Sequence, residues 1–321
     1  MKTKLSRRTL IGSASAALGG PWGGGGQAAE PGLKMLVGYA PGGSVDLVAR
    51  IVATGLSRRG EPTQVENIPG ASGMIAAVQI ALAPPLAPLV LMGSPSEIGI
   101  NSSLDSRIRF NPLNDMTPLV LVGSQPMVLV ANRDTKVTDT ASFLAYVRSH
   151  PNAKFASSGK GTPLHLTGEL VAQKASVKMV HAPYPGSAQM VEAVTRGEVP
   201  FAVMVLSTAL PHLRDKRLQG VAVTSRARSA QLPALPSLSE TAVFDSVDMG
   251  VWFGVLGPPK MGADRAAGLK KKLMAVVKDP DVRRALEDAG LALMEEVDFP
   301  GFLDFQLKRF TEIVRNANLR T

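Results

Sequence analysis

The apolar run at residues 33–39, broken only by Lys34 and Gly38, has the length and character of a buried strand. The period then changes. Val45, Val48, Ile51, Val52 and Leu56 fall on one face of a helix, and Arg58-Arg59-Gly60 ends it with positive charge and a glycine stop. The alternation returns as a short strand at 64–67, a glycine turn at 69–73, an Ala-rich helix at 74–82 and a strand at 86–92 that opens into Gly93-Ser94-Pro95-Ser96. Further on, 154–156 and 201–206 read as strands, and helices are predicted from Pro163, from Gly186 to about Arg196, and over 265–277, 281–289 and 299–316. Strands alternating with helices predict an α/β fold with parallel strands, in which ligands sit at the strands' carboxyl ends. The turns that follow the strands therefore share one rim.

The first of these turns, Tyr39-Ala40-Pro41-Gly42-Gly43-Ser44-Val45-Asp46, combines backbone N–H groups with the positive end of a helix, which suits an anion. Its paired glycines let the backbone approach a ligand, and Ser44 is placed to cap the first helical turn. Taken alone, a plain strand-to-helix connection is the simpler reading. Asp46 falls in that first turn, where a carboxylate offsets the helix dipole by about 0.3–1 kcal/mol, a structural role weighed above ligand contact. Ser94 and Ser96 present hydroxyls at another strand end. The loop Ser157-Ser158-Gly159-Lys160-Gly161-Thr162, with Thr162 as cap and Pro163 at the first helical position, is the natural opposite number of the first turn.

At 321 residues the chain is long enough for two core-bearing domains, and the lack of cysteine removes disulfides, thiolate zinc sites and a cysteine nucleophile. Residues 1–29 have the parts of a signal peptide. Ser6-Arg7-Arg8 before a weakly apolar stretch resembles a twin-arginine leader, with a Sec signal as the rival and cleavage after Ala29. Losing Lys2, Lys4, Arg7 and Arg8 would take the formal charge from +9 to +5. The remaining basic residues are scattered and no aromatics are interleaved to stack bases, so nucleic acid is not an expected partner. His150, His165, His181 and His212 form no pair at metal-ligand spacing, no dinucleotide or phosphate-loop motif is present, and no cofactor is expected. Structural hydrogen bonding is the expected role of His165 and His181. Ser157-Ser158-Gly159-Lys160 matches the S-x-x-K pattern of some serine hydrolases, but its companion motifs are missing.

Residues 38–46, Val65-Glu66-Asn67-Ile68-Pro69-Gly70-Ala71-Ser72-Gly73, residues 157–170, Met179-Val180-His181-Ala182-Pro183-Tyr184, Ala209-Leu210-Pro211-His212 and Val221-Ala222-Val223-Thr224-Ser225 together resemble the Bug receptors. These are the periplasmic solute-binding proteins of tripartite tricarboxylate transporters. The resemblance spans nearly all of the chain after the leader. It implies a type II-like periplasmic-binding-protein fold of two lobes joined by two crossovers: 30–131 and 250–321 in the first lobe, 132–249 in the second. It also implies a non-catalytic, monomeric, periplasmic receptor that closes on a small carboxylate and docks on membrane transporter subunits or on a sensor protein. By that likeness the cleft is lined by Tyr39, Pro41, Gly42, Gly43, Ser44, Asp46, Ser94, Ser157, Ser158, Gly161, Thr162, Gly186, Ser187 and Met204, with Ser157, Ser158 and Thr162 as the foremost side-chain contacts. The chain departs from the family at Pro185, where many relatives have lysine, at 84–88, and near Pro200 and Met204, where relatives carry acids. If Met204 approaches the cleft, that last change disfavours a ligand amine and favours a simple or aromatic carboxylate; a core position for Met204 weighs equally.

Overall fold

The computed structural model describes residues 32–105 and 107–316; the expected leader lies outside them. β1 (Leu33–Val37) lies between β2 (Thr63–Asn67) and β3 (Leu89–Gly93), and the three are parallel. α1 (Ser44–Arg58) and α2 (Met74–Ala81) make the connections, as the change of hydrophobic period predicts. Two short helices follow, α3 (Asn101–Leu104) and α4 (Pro112–Asp115).

β4 (Thr117–Ala131), 15 residues long, then carries the chain from one half of the molecule to the other. The second half contains α5 (Thr140–Ser149), β5 (Lys154–Ser157), α6 (Pro163–Lys174), β6 (Val180–Pro183), α7 (Ser187–Thr195), β7 (Phe201–Val205), α8 (Leu206–Arg214) and β8 (Gln219–Val223). The chain returns through β9 (Gly250–Gly257), and α9 (Ala263–Val277), α10 (Pro280–Asp288), β10 (Ala292–Leu293) and α11 (Phe299–Asn316) complete the first half.

The two halves share a sheet of order β2-β1-β3-β9-β4-β7-β5-β6, with β8 and β10 also paired to β4. β4 pairs antiparallel with β9 as far as Pro126 opposite Gly250, and from Met127 opposite Val205 it pairs with β7 instead. The second passage runs alongside: the Thr224 amide donates to the Met127 carbonyl at 2.9 Å and the Met249 amide to the Thr224 carbonyl at 2.8 Å. This is a two-lobe α/β fold with two adjacent crossings. The parallel trio of each lobe, β1–β3 and β5–β7, points its carboxyl ends at the seam between lobes.

Each lobe has its own aromatic anchor. In the first, Trp252 packs edge-on against Phe299 and Phe302 with centroids 6.1 and 5.7 Å apart. In the second, Phe143 and Phe201 meet edge-on at 5.0 Å. Behind the 157–162 loop, Phe155 lies flat against α6, where Gly168 leaves room for its ring: a Cβ at Gly168 would fall 2.0 Å from the Phe155 ring.

Gly168→Ala is therefore expected to lower unfolding free energy by about 1–3 kcal/mol through overpacking, read as a shifted urea midpoint at unchanged slope. An unshifted midpoint would show that the Phe155 shelf yields freely.

Candidate functional site

A cavity of about 180 Å³ lies on the seam, floored by Val205 and Val251, the strand residues beside the two crossings. Its walls are helix beginnings. Residues 42–45 bring the start of α1, 162–164 that of α6, 186–189 that of α7, and Val205 precedes α8. α1 starts at an N-cap glycine, Gly43, and α7 at Gly186, and at neither does a side chain cap the helix amides, whereas in α8, which follows Val205, the Ser207 amide donates to Gln125 Oε1 at 3.0 Å. Four positive helix ends thus face one small volume, each equivalent to roughly half an elementary charge. Among the described residues, no lysine, arginine or histidine lines it. The cavity's affinity for negative charge comes from backbone.

Local sequence explains each wall. Gly42 holds φ +84°, a conformation that suits glycine, and its amide donates to Asp46 at 2.9 Å. The same carboxylate accepts from Arg50 Nε and Nη2 and from Asn67 Nδ2, all at 2.9 Å. Burial alone would raise the Asp46 carboxyl, but the hydrogen bonds from Arg50, the Gly42 amide and Asn67 outweigh it and hold its pKa below the ordinary value. Across the seam, the Thr162 hydroxyl donates to the Gly159 carbonyl at 2.8 Å and accepts from the His165 amide at 3.3 Å, which caps α6. Ser72 Oγ reaches from the first lobe to the Lys160 carbonyl at 2.6 Å, and Gly161, φ +80°, fits so closely against Asn101 that a Cβ would lie 2.4 Å from its Oδ1. The lobes are closed on one another.

Most of the residues expected from sequence meet here. Tyr39, Pro41, Gly42, Gly43, Ser44, Ser94, Ser158, Thr162, Gly186 and Ser187 all line the cavity. Tyr39 and Ser158 also line a wider groove of about 1030 Å³ on the same seam, together with Gly161, Lys160 and Arg107. Four expected residues are not in the cavity wall: Gly161, which lines only the wider groove, and Asp46, Ser157 and Met204. Asp46 lies behind the turn it holds. Ser157 is fully buried and its hydroxyl lies 2.6 Å from His181 Nε2, a ring that burial, and then the neighbouring His165, push down to about 4. Met204 is fully buried opposite Val128, so the missing acid there bears on packing and the argument about ligand amines does not apply. Ser44 is the first helical residue and not the cap, because Gly43 already occupies that position.

Sequence reasoning missed Ala40, Leu164, Pro185, Gln189, Val205 and Val251 in the walls, and above all Glu97 behind them. Glu97 is 1% exposed and accepts from the Ser94 amide at 2.6 Å, Ser94 Oγ at 2.8 Å and Tyr39 Oη at 3.0 Å. Burial pushes its carboxyl up to about 7 against these hydrogen bonds, all from neutral groups. Among the described residues no three His, Cys, Asp or Glu side chains gather as a metal site, and no helix is long and apolar enough to cross a membrane.

The model of the tripartite tricarboxylate transporter family receptor matches residues 48–319. A UPF0065 protein in the tcbD-tcbE intergenic region of Pseudomonas sp. (strain P51) is 30% identical over 261 residues, 81% of this chain and 77% of that protein. Among solved structures, the periplasmic binding protein BugD is 25% identical with a TM-score of 0.85, covering 91% of this chain and 99% of its own. MatC from Rhodopseudomonas palustris, solved with bound malate, is 25% identical with a TM-score of 0.80, covering 88% and 98%. The fold is thus that of periplasmic binding proteins.

A carboxyl whose pKa is raised on folding makes the folded state bind the extra proton, so its stability contribution is full below pH 4.5 and is lost as pH rises through 7. Relative to Glu97→Gln, the wild-type protein is expected to lose on the order of 3 kcal/mol between pH 4.5 and pH 8, read from paired thermal melts. Parallel melting curves across that range would show that Glu97 does not titrate there.

Proposed function

The chain belongs to the tripartite tricarboxylate transporter receptor family, and from that premise we propose that it captures a small carboxylate in the periplasm for membrane transporter subunits. The observation that supports this most is the convergence of four helix N-termini, two of them (α1 and α7) without a capping side chain, on a cavity sized for a small molecule and lined, among the described residues, by no cationic side chain. One ligand carboxylate receives the amides of residues 43–45 from the first lobe, the Gly42 amide being held by Asp46. The 158–162 loop and the Gly186 turn grip it from the second. Malate bound to the similar MatC is the chemistry such a site accepts.

The ligand works as a shared anion. Amides of both lobes can bind it together only when the lobes are closed, so it favours the closed form by its differential affinity. The contact between Ser72 and Lys160 is one of those that closure would complete. We place the lobe division along β4 and at the start of β9, with 132–249 in the second lobe and the chain from 250 returning to the first. The receptor acts as a monomer, reaches the periplasm through the twin-arginine-like leader, and has no catalytic role. Ser157, the nucleophile of the hydrolase alternative, is fully buried and outside the cavity wall, where no substrate carbonyl can reach it, which argues against turnover.

A thermal-shift screen of the purified protein against mono-, di- and tricarboxylates is expected to find stabilisation of about 2.7 kcal/mol at a hundred times the dissociation constant, with the compound recovered unchanged. Ser158→Ala is expected to weaken that ligand about tenfold while leaving the ligand-free melting temperature in place, through loss of one hydrogen bond to a charged group. Unchanged affinity in the variant, or conversion of the compound, would contradict the assignment.

A further inference from the structure

The part of the cavity wall formed by Tyr39 and Ser94 has its hydrogen-bonding polarity set from behind. Each of these side chains carries a single hydroxyl proton. Glu97 Oε2 lies 3.0 Å from Tyr39 Oη and 2.8 Å from Ser94 Oγ, while the other acceptors near Tyr39, the Ser72 carbonyl at 3.2 Å and Ser94 Oγ at 3.3 Å, are farther away and uncharged. The carboxylate is both the nearest and the strongest acceptor, so both protons turn toward it. The Ser94 amide holds Glu97 Oε1 at 2.6 Å, and the α-carbon side of Gly73 is packed so tightly on the carboxylate that a Cβ would fall 2.7 Å from Oε2. Glu97 therefore has a fixed orientation, and it does not itself line the cavity.

With their protons directed away, Tyr39 and Ser94 offer the cavity only lone pairs. The helix beginnings offer amide protons. The cavity is thus divided into a donor region that receives a carboxylate and an acceptor region that does not. A ligand with nothing but carboxylate and hydrocarbon leaves the two hydroxyl oxygens desolvated and unpaired, whereas a hydroxyl or ammonium group satisfies them. We propose that Glu97 is a specificity-determining residue which turns Tyr39 and Ser94 into acceptors and so selects carboxylates that also carry a hydroxyl or ammonium donor. The inference rests on the carboxylate reading of the same cavity and goes beyond it by naming the second group the ligand must carry.

The test is titration calorimetry at pH 8 with acids matched except for one substituent: malate and aspartate against succinate, and 2-hydroxyglutarate against glutarate. The wild-type protein is expected to bind the substituted member of at least one set about tenfold or more tighter, the value of one hydrogen bond. Glu97→Gln places an amide donor behind the hydroxyls, frees their protons for the cavity, and is expected to reduce that ratio to about twofold or less. Tyr39→Phe removes one acceptor while leaving Glu97 in place, and is expected to lower the ratio in the same direction should Glu97→Gln fail to fold. Equal affinities for substituted and unsubstituted acids in the wild-type protein, or a ratio unchanged in the folded variants, would overturn the role of Glu97 while leaving carboxylate capture intact. No binding by any of these acids would remove the carboxylate reading, and this inference with it.

Discussion

Everything near the seam follows from one constraint: a parallel strand followed by a helix delivers that helix's positive end to the strand's carboxyl edge. Each lobe does this separately, and β4 and β9, passing side by side, bring the two edges face to face with Val205 and Val251 between them. Donors from both sides meet at a volume of about 180 Å³. Because the N-cap positions of α1 and α7 carry glycine, their first amides have no side-chain oxygen to occupy them. Capping residues at those places would strengthen each helix by about 1 kcal/mol and fill the site with the protein's own acceptors. Helix stability is given up where recognition needs the amides.

Behind this shell lies a layer of buried polar residues whose role is to hold it. Asp46 fixes the 42–45 turn through four hydrogen bonds from Gly42, Arg50 and Asn67. Ser157 and His181, 2.6 Å apart, fix the base of the 158–162 loop, with the His165 ring tilted 40° against that of His181 at a centroid distance of 4.2 Å. Glu97 holds Tyr39 and Ser94. The three supports differ in electrostatics: Asp46 has an arginine partner, His181 is kept neutral by burial, and Glu97 is an acid with neutral partners only. Of the three, Glu97 is the group whose charge bears most on what the cavity selects, since both of its hydroxyl partners are wall residues.

Much of this was legible in the sequence, for reasons particular to each stretch. Glycine turns between a strand run and a helical period mark the 39–46 and 157–162 walls, and Thr162-Pro163 shows where α6 begins. What could not be read was which of two neighbours faces the ligand. Ser157 and Ser158 look alike, but the β5 pairing that sets Ser157 opposite Pro183, two residues beyond His181 on β6, turns its hydroxyl inward to His181 and leaves Ser158 to the cavity. Met204 is ambiguous for the same reason. β4, the element that joins the lobes, is not legible as one strand, because Pro118, Gly123-Ser124-Gln125 and Pro126 break its apolar run and proline argues against a central strand; the family resemblance alone places the crossing, at 131/132. Glu97 has the spacing of an ordinary acid in a first helical turn after Ser94; only the tertiary placement of Tyr39 and Gly73 makes it buried and consequential.

Recognition of a carboxylate's charge in the proposed receptor falls to backbone dipoles, without a cationic side chain. It is tested most directly by calorimetric comparison of a bound acid with its primary amide, a molecule of nearly the same shape that lacks the charge and adds donors where the site already has them. The account requires the acid to bind about a hundredfold or more tighter, since several amide donors aimed at one group would each meet a donor in place of an acceptor. Comparable affinity for acid and amide would contradict it, and would mean that the cavity selects for shape alone.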